Sequence, residues 1–274
     1  FAVLPPANGD EHFRCVVSDA GHASPKSLRV TCNSYQNDDP GYDDFAVLQY
    51  VITNNGSSAL SGMYAGIMAD FDIGSNSATN TGSSNEAKRY TTMRQASTEN
   101  PTVGVKILEP ASFANLSCID HARYVYPDSC MSDNQKYRWL NGTLSQRNST
   151  RSYDWSIVTS VGPFDLAVGE SRRVAFAFVG GTSAAQFEAH ADSAQSWYDH
   201  HTSIVEPGGT GQLPRGRTVT CTPNPFSRSV RVSFDLAGSG SVLVQVCDVT
   251  GRVVATLKNS ARSAGLFEAD WEPG

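Results

Sequence analysis

Fifteen residues, Thr202 to Gly216, hold four glycines (Gly208, Gly209, Gly211, Gly216) and two prolines (Pro207, Pro214), with little between them to bury. Such a stretch forms a spacer rather than an element, and no single core can run through it. The spacer divides the chain into a domain at 1–201, a linker at 202–216 and a module at 217–274. A length of 274 residues also suits about two domains.

The large domain is predicted to be an all-β sandwich closed by one helix. Phe45 to Thr53 is β-branched and aromatic on both faces, the signature of a central strand, and Asn54-Asn55-Gly56 supplies turn chemistry behind it. Met63 to Phe71, Thr102 to Leu108, Tyr153 to Val161 and Arg172 to Val179 are further strand candidates, with Gly162-Pro163 and Val168-Gly169 between them. Thr182 to His201 carries Phe187, Ala191, Ala194 and Trp197/Tyr198 on one helical stripe, with Thr182 or Ser183 as N-cap. The polar stretches 33–44 and 74–86 are predicted to be long loops.

The module alternates apolar and polar residues over Val230–Leu236, Val242–Val249, Val253–Leu257 and Gly265–Trp271, which predicts a small β-sandwich. Pro223-Asn224-Pro225-Phe226, Asp248-Val249-Thr250-Gly251-Arg252 and Gly265 with Trp271 resemble the Ig-like modules at the C-termini of bacterial secreted proteins. These include the flagellar hook-capping-type Ig-like domain and the type IX secretion sorting tail. Members of that group continue for two more strands, which 217–274 lacks. In the large domain, Asn54-Asn55-Gly56, Gly66 to Ile73 and Val161 to Leu166 followed by Gly169-Glu170-Ser171 resemble a β-rich region found downstream of subtilisin-like peptidase domains. Both resemblances imply an accessory and sorting or anchoring region of a secreted or cell-surface protein. Its partners would be a missing upstream peptidase domain and the cell-surface or secretion machinery. The start at Phe1, with no signal core behind it, and the broken-off end at Trp271–Gly274 predict a piece of a longer exported precursor.

Net charge is −6, from 21 basic and 27 acidic side chains, which argues against nucleic acid as a partner. The longest apolar run, Val174 to Val179, falls far short of the roughly 20 residues of a membrane helix. Six cysteines fit an oxidising compartment. They can pair in many ways; sequence order, Cys15–Cys32, Cys118–Cys130 and Cys221–Cys247, is the simplest, each closure worth about 3 kcal/mol.

Chemistry is sparse. Gly181-Thr182-Ser183-Ala184-Ala185 faintly matches a subtilisin nucleophile motif but lacks its Met and Pro, and no His-Gly-Thr block accompanies it. The domain is therefore expected to be non-catalytic. Among six histidines (His12, His22, His121, His190, His200, His201) none shows the spacing that seats two imidazoles on one helical face, so surface or helix-end positions are expected. Calcium is the expected metal: Asp70, Asp72, Asn76 and Asn80 place hard oxygen donors in one loop, and Asn37, Asp38, Asp39, Asp43 and Asp44 form a second cluster. Tyr137, Trp139, Trp155 and Trp197 could line a sugar platform or pack the core. Asn55, Asn115, Asn141 and Asn148 head N-x-S/T sequons. Two alternatives stand beside the accessory-domain reading: a structural or adhesive subunit that self-associates by strand addition, and a carbohydrate-binding module.

Overall fold

The computed structural model describes residues 2–4, 11–128, 131–201, 220–222, 228–236, 240–247, 253–262 and 265–272. The chain divides into two compact units, Phe1–Ile204 and Val205–Gly274. The spacer at 202–216, the Pro223–Phe226 turn, residues 248–252 and Cys130 lie outside the described residues.

Among the described residues the larger unit contains eleven strands: β1 (Ala2–Leu4), β2 (Glu11–Ser18), β3 (Leu28–Gln36), β4 (Phe45–Asn54), β5 (Leu60–Ala69), β6 (Asn80–Asn85), β7 (Tyr90–Gln95), β8 (Thr102–Glu109), β9 (Asn115–Asp120), β10 (Trp155–Leu166) and β11 (Ser171–Gly181). Eight of them make one antiparallel sheet in the order β1-β2-β3-β4-β11-β8-β7-β6, and β5-β10-β9 make a second. The protein is all-β, a sandwich with a helix at its end, as the alternation predicts.

Strand β11 explains the layering. Val174 and Phe176 point between the sheets, where they pack with Val105 and Ile107 of β8, Ile157 and Val161 of β10 and Leu116 of β9. Ala175, Ala177 and Val179 point the other way and are equally buried. They form a shallow floor for helix α3 (Ala184–His201), whose Phe187, Ala191, Ala194, Trp197 and Tyr198 cover it. At Gly104 of β8 a Cβ would stand 2.4 Å from the Thr91 carbonyl and 3.0 Å from the Phe187 ring. Only glycine allows both approaches. Burial of each large side chain contributes roughly 1.5–3 kcal/mol.

The structure adds elements that hydrophobic pattern does not announce. The stretch 74–86, expected as a loop, contains β6, and part of 33–44 belongs to β3. Two short helices, α1 (His121–Tyr124) and α2 (Asp133–Leu140), join the predicted one. They lie beside the outer face of β9 and β10, where Ile119, Met131, Trp139 and Val158 form a small separate core. Strand β10 also runs through Gly162-Pro163, with a register irregularity there, instead of stopping.

The smaller unit has β12 (Thr220–Thr222), β13 (Val230–Leu236) and β16 (Gly265–Trp271) in one sheet and β14 (Gly240–Cys247) with β15 (Val253–Arg262) in another. Val230, Val232 and Phe267 are buried, and Arg231 on the opposite face makes a two-bond contact with Asp270 at 2.8 and 3.0 Å.

One buried charge departs from the apolar layering. Lys106 of β8 is only 3% exposed, and its Nζ donates to the Lys88 carbonyl at 2.7 Å. Burial, and next the Arg89 charge, push its ammonium down to about 8. Between about pH 8 and 10 the unfolded chain holds a proton that the folded chain has released, so this residue's contribution to stability rises with pH. Lys106→Met is expected to be more stable than wild type by about 2 kcal/mol near neutral pH, with the gap closing by about pH 10. Urea unfolding across that range measures it; a pH-independent difference would contradict the assignment.

Candidate functional site

At one end of the three-stranded sheet, three chain segments bring titratable groups together. Strand β9 pairs Asp120 with Trp155 of β10, so His121, the next residue, comes beside Asp154. Its backbone N–H donates to the Asp154 carbonyl at 3.3 Å. On the other side β5 pairs Ala69 with Ile157, which brings Asp70 beside Ser156. Ser156 and Asp154, two apart in an extended segment, share a face.

The corner after β9 is held rigidly. Asp120 caps α1 through Ala122 N–H at 3.1 Å and receives the guanidinium fork of Arg151 at 2.8 and 2.9 Å. Such bidentate contacts fix direction as well as distance. His121 begins the helix with its imidazole 94% buried. Nδ1 stands 3.3 Å from Asp154 Oδ1, and Nε2 stands 3.8 Å from Asp70 Oδ1 and hydrogen-bonds Ser156 Oγ. Tyr126 donates its hydroxyl to the second oxygen of Asp154 and sets its ring edge-on to the imidazole, 5.7 Å between centroids.

The electrostatics are those of a crowded acidic end. Burial raises the Asp70 carboxyl, His121 pulls it down, and Asp72 and Asp154 push it up. The bond to Asp154, the largest cause, pushes the Tyr126 phenol up to about 12. One ligand atom each from Asp70, His121 and Asp154 can lie within 4.8 Å of the others.

Two chemistries fit this geometry unequally. Ser156–His121–Asp154 has the connectivity of a nucleophile, base and orienting carboxylate. Ser156, however, is fully buried on the middle strand of its sheet, so its hydroxyl is not presented to a substrate. An imidazole with two carboxylates is also a donor set for a divalent cation, and Asp70, with about half its side chain exposed, stands at the entrance.

Of Asp70, Asp72, Asn76 and Asn80, Asp70 alone belongs to this cluster, and its partners His121 and Asp154 carry no local sequence signal. Asp72 is exposed, near enough to affect Asp70. Asn76 caps the turn Ser77–Thr79 by accepting from Ala78 N–H at 3.0 Å. Asn80 is buried, donates to the Ser77 carbonyl at 2.9 Å, and leaves its Oδ1 without a partner among the described residues. In the second acidic stretch Asp43 accepts from Gly41 N–H and Asp44 pairs with His190 at 3.2 Å. His12, expected at the surface or a helix end, is buried in β2, and His121 stands at a helix end but is buried too. Ser183 serves as a helix cap, accepting from Gln186 N–H at 3.2 Å. Trp139, Trp155 and Trp197 are core residues; Tyr137 is half-exposed, so the four build no shared platform. Asn115, buried, donates to the carbonyls of Trp139 and Leu144.

The expected disulfides need correction. Cys15, Cys32, Cys118 and Cys221 are free thiols; Cys130 and the Cys247 side chain lie outside the described residues. Cys118 is buried with Sγ against Gly82 and near the Arg147 carbonyl at 3.7 Å, and burial pushes its thiol up to about 12. Cys15 and Cys32 are direct partners across β2 and β3. Burial, then Cys15, pushes the Cys32 thiol up to about 11.

Neither a protein-family model nor a curated protein matches the chain. Among solved structures, it is similar to a protein assigned as an aldose 1-epimerase from Escherichia coli K12, at 11% identity and TM-score 0.39, covering 64% of this chain and 67% of that one. It is also similar to a polysaccharide lyase at 10% identity and TM-score 0.36, covering 89% of this chain and 30% of the lyase. The chain thus spans under a third of the lyase's length, and likenesses this distant carry no argument about activity.

Opposed residues of an antiparallel pair stand within disulfide reach. Mild oxidation is therefore expected to join Cys15 to Cys32, read as loss of two titratable thiols and a bridged peptide in a non-reducing digest, with a gain of about 3 kcal/mol. Retention of both thiols under oxidant that bridges a model dithiol would contradict this register.

Proposed function

We propose that the larger unit is a non-catalytic, cation-braced β-sandwich in the accessory region of an exported bacterial protein, with the smaller unit as its sorting or anchoring module. The observation that carries the cation is the convergence of Asp70, His121 and Asp154, which come from three segments and can bring one ligand atom each within 4.8 Å. An ion there would tie the end of β5 and the start of β10 to the β9–α1 corner. The mixed imidazole and carboxylate set favours zinc or manganese over the all-oxygen calcium shell expected from 70–80. Asp70, Asp154 and one ring nitrogen of His121 would be its protein ligands, with Tyr126 and Ser156 as the polar groups beside them.

The export reading rests on sequence: the Pro223–Phe226, Asp248–Arg252 and Gly265/Trp271 pattern, and the spacer before it. The parent would be a subtilisin-like peptidase whose catalytic groups lie in another domain. The buried Ser156 supports a non-catalytic role for the larger unit.

Thermal unfolding of the full chain tests the cation. Zinc at about 100-fold excess over its dissociation constant is expected to raise the midpoint by about 5–10 °C over chelated protein. Asp70→Asn, which leaves the His121–Asp154 contact intact, is expected to lose most of that rise. An identical midpoint with and without zinc, manganese and calcium would refute the reading.

A further inference from the structure

On the opposite side of the large sheet from the His121 cluster, a cavity of about 440 Å³ opens beside the last turns of α3. Arg89, Glu109, Arg173, Gln195, Tyr198 and Asp199 line it. Its volume is that of a small-molecule site. Most of its polar groups are engaged. Arg173 Nε donates to Glu109 Oε2 at 2.8 Å, Tyr198 donates to the same oxygen at 2.5 Å, and Gln195 Nε2 donates to Asp199 Oδ1 at 3.0 Å.

Arg89 differs. Its Nη2 donates to Gln195 Oε1 at 3.1 Å, while its Nε is shielded from solvent and has no partner among the described residues. No carboxylate among the described residues stands within ion-pair distance of it. Its φ of +56° belongs to the turn at 86–89 that joins β6 to β7, which its N–H closes on the Glu86 carbonyl at 3.3 Å. Behind it lies buried Lys106, whose ammonium is lowered by burial first and Arg89 second, with Asp192 and Asp199 opposing.

We infer that this cavity binds a small hydroxylated monocarboxylate, of the sugar-acid class, with Arg89 holding the carboxylate. A guanidinium edge matches a carboxylate in plane. A single negative charge balances Arg89, whereas a dianion would meet Glu109 and Asp199 across the cavity. Tyr198, Gln195 and the two acidic side chains offer the mixed donors and acceptors that hydroxyl groups need.

Isothermal titration of the full chain with sodium glucuronate, glucose and inorganic phosphate tests this. Glucuronate is expected to bind at least about tenfold more tightly than glucose and more tightly than phosphate. Arg89→Gln is expected to cost at least about tenfold in glucuronate affinity, while Arg231→Gln in the smaller unit leaves it unchanged. Gln195→Glu, which puts an internal carboxylate on Arg89, is expected to abolish binding with the fold retained, and it decides the matter if Arg89→Gln does not fold. Glucuronate binding no tighter than glucose, or equal in wild type and Gln195→Glu, would overturn the proposal. Tighter binding of phosphate would overturn the carboxylate assignment.

Discussion

The central strands of the large sheet are apolar on both faces, and everything else in the larger unit follows from covering them. Strand β11 sends large side chains to one side and small ones to the other. The large ones need a second sheet, which β5, β10 and β9 supply. The small ones leave a shallow surface on which α3 can lie close, and Gly104 deepens it under Phe187. Neither layer is optional, because an uncovered face would expose apolar area that folding must remove from water.

Function candidates arise where these layers end. At the end of the three-stranded sheet, register alone carries Asp70, Asp154 and His121 to one place, and the Asp120–Arg151 fork keeps the corner from drifting. Buried polar groups there satisfy one another, as low-dielectric surroundings require. Beside α3 the second candidate forms for a related reason. The helix covers β11 and β8 but its last turns leave a cavity, and Arg89, bonded to Gln195, lies on its wall.

Much of the framework was legible in the chain. Phe45–Thr53, Arg172–Val179 and the Phe187/Ala191/Ala194 stripe announce β4, β11 and α3 through apolar periodicity. Strands β6 and β7 escaped because hydroxyls carry much of their pairing: Ser83 with Thr92 and Ser84 with Thr91 bond across the ladder at 3.1 and 3.2 Å. Strand β9 hides for a similar reason, since Asn115 and Ser117 are buried polar residues satisfied by neighbouring segments. Asp70 was recognisable as a donor at a strand end, but its partners were not. Whether His121 meets Asp70 or a residue two steps away depends on the registers of β5 and β9 on β10, which no local pattern encodes. The cysteines show the same limit. Sequence order pairs Cys15 with Cys32, and the strand register sets them opposite, yet the bond itself is a matter of redox state.

In the proposed brace, three segments close around one ion at the end of the β5-β10-β9 sheet. Crystals of the full chain grown with zinc and measured at the zinc absorption edge test that directly. The expected result is an anomalous peak at coordination distance, about 2.0–2.2 Å, from carboxylate oxygens of Asp70 and Asp154 and a His121 ring nitrogen. A map with no peak there, and with Asp70, His121 and Asp154 bonded only to protein, would contradict it.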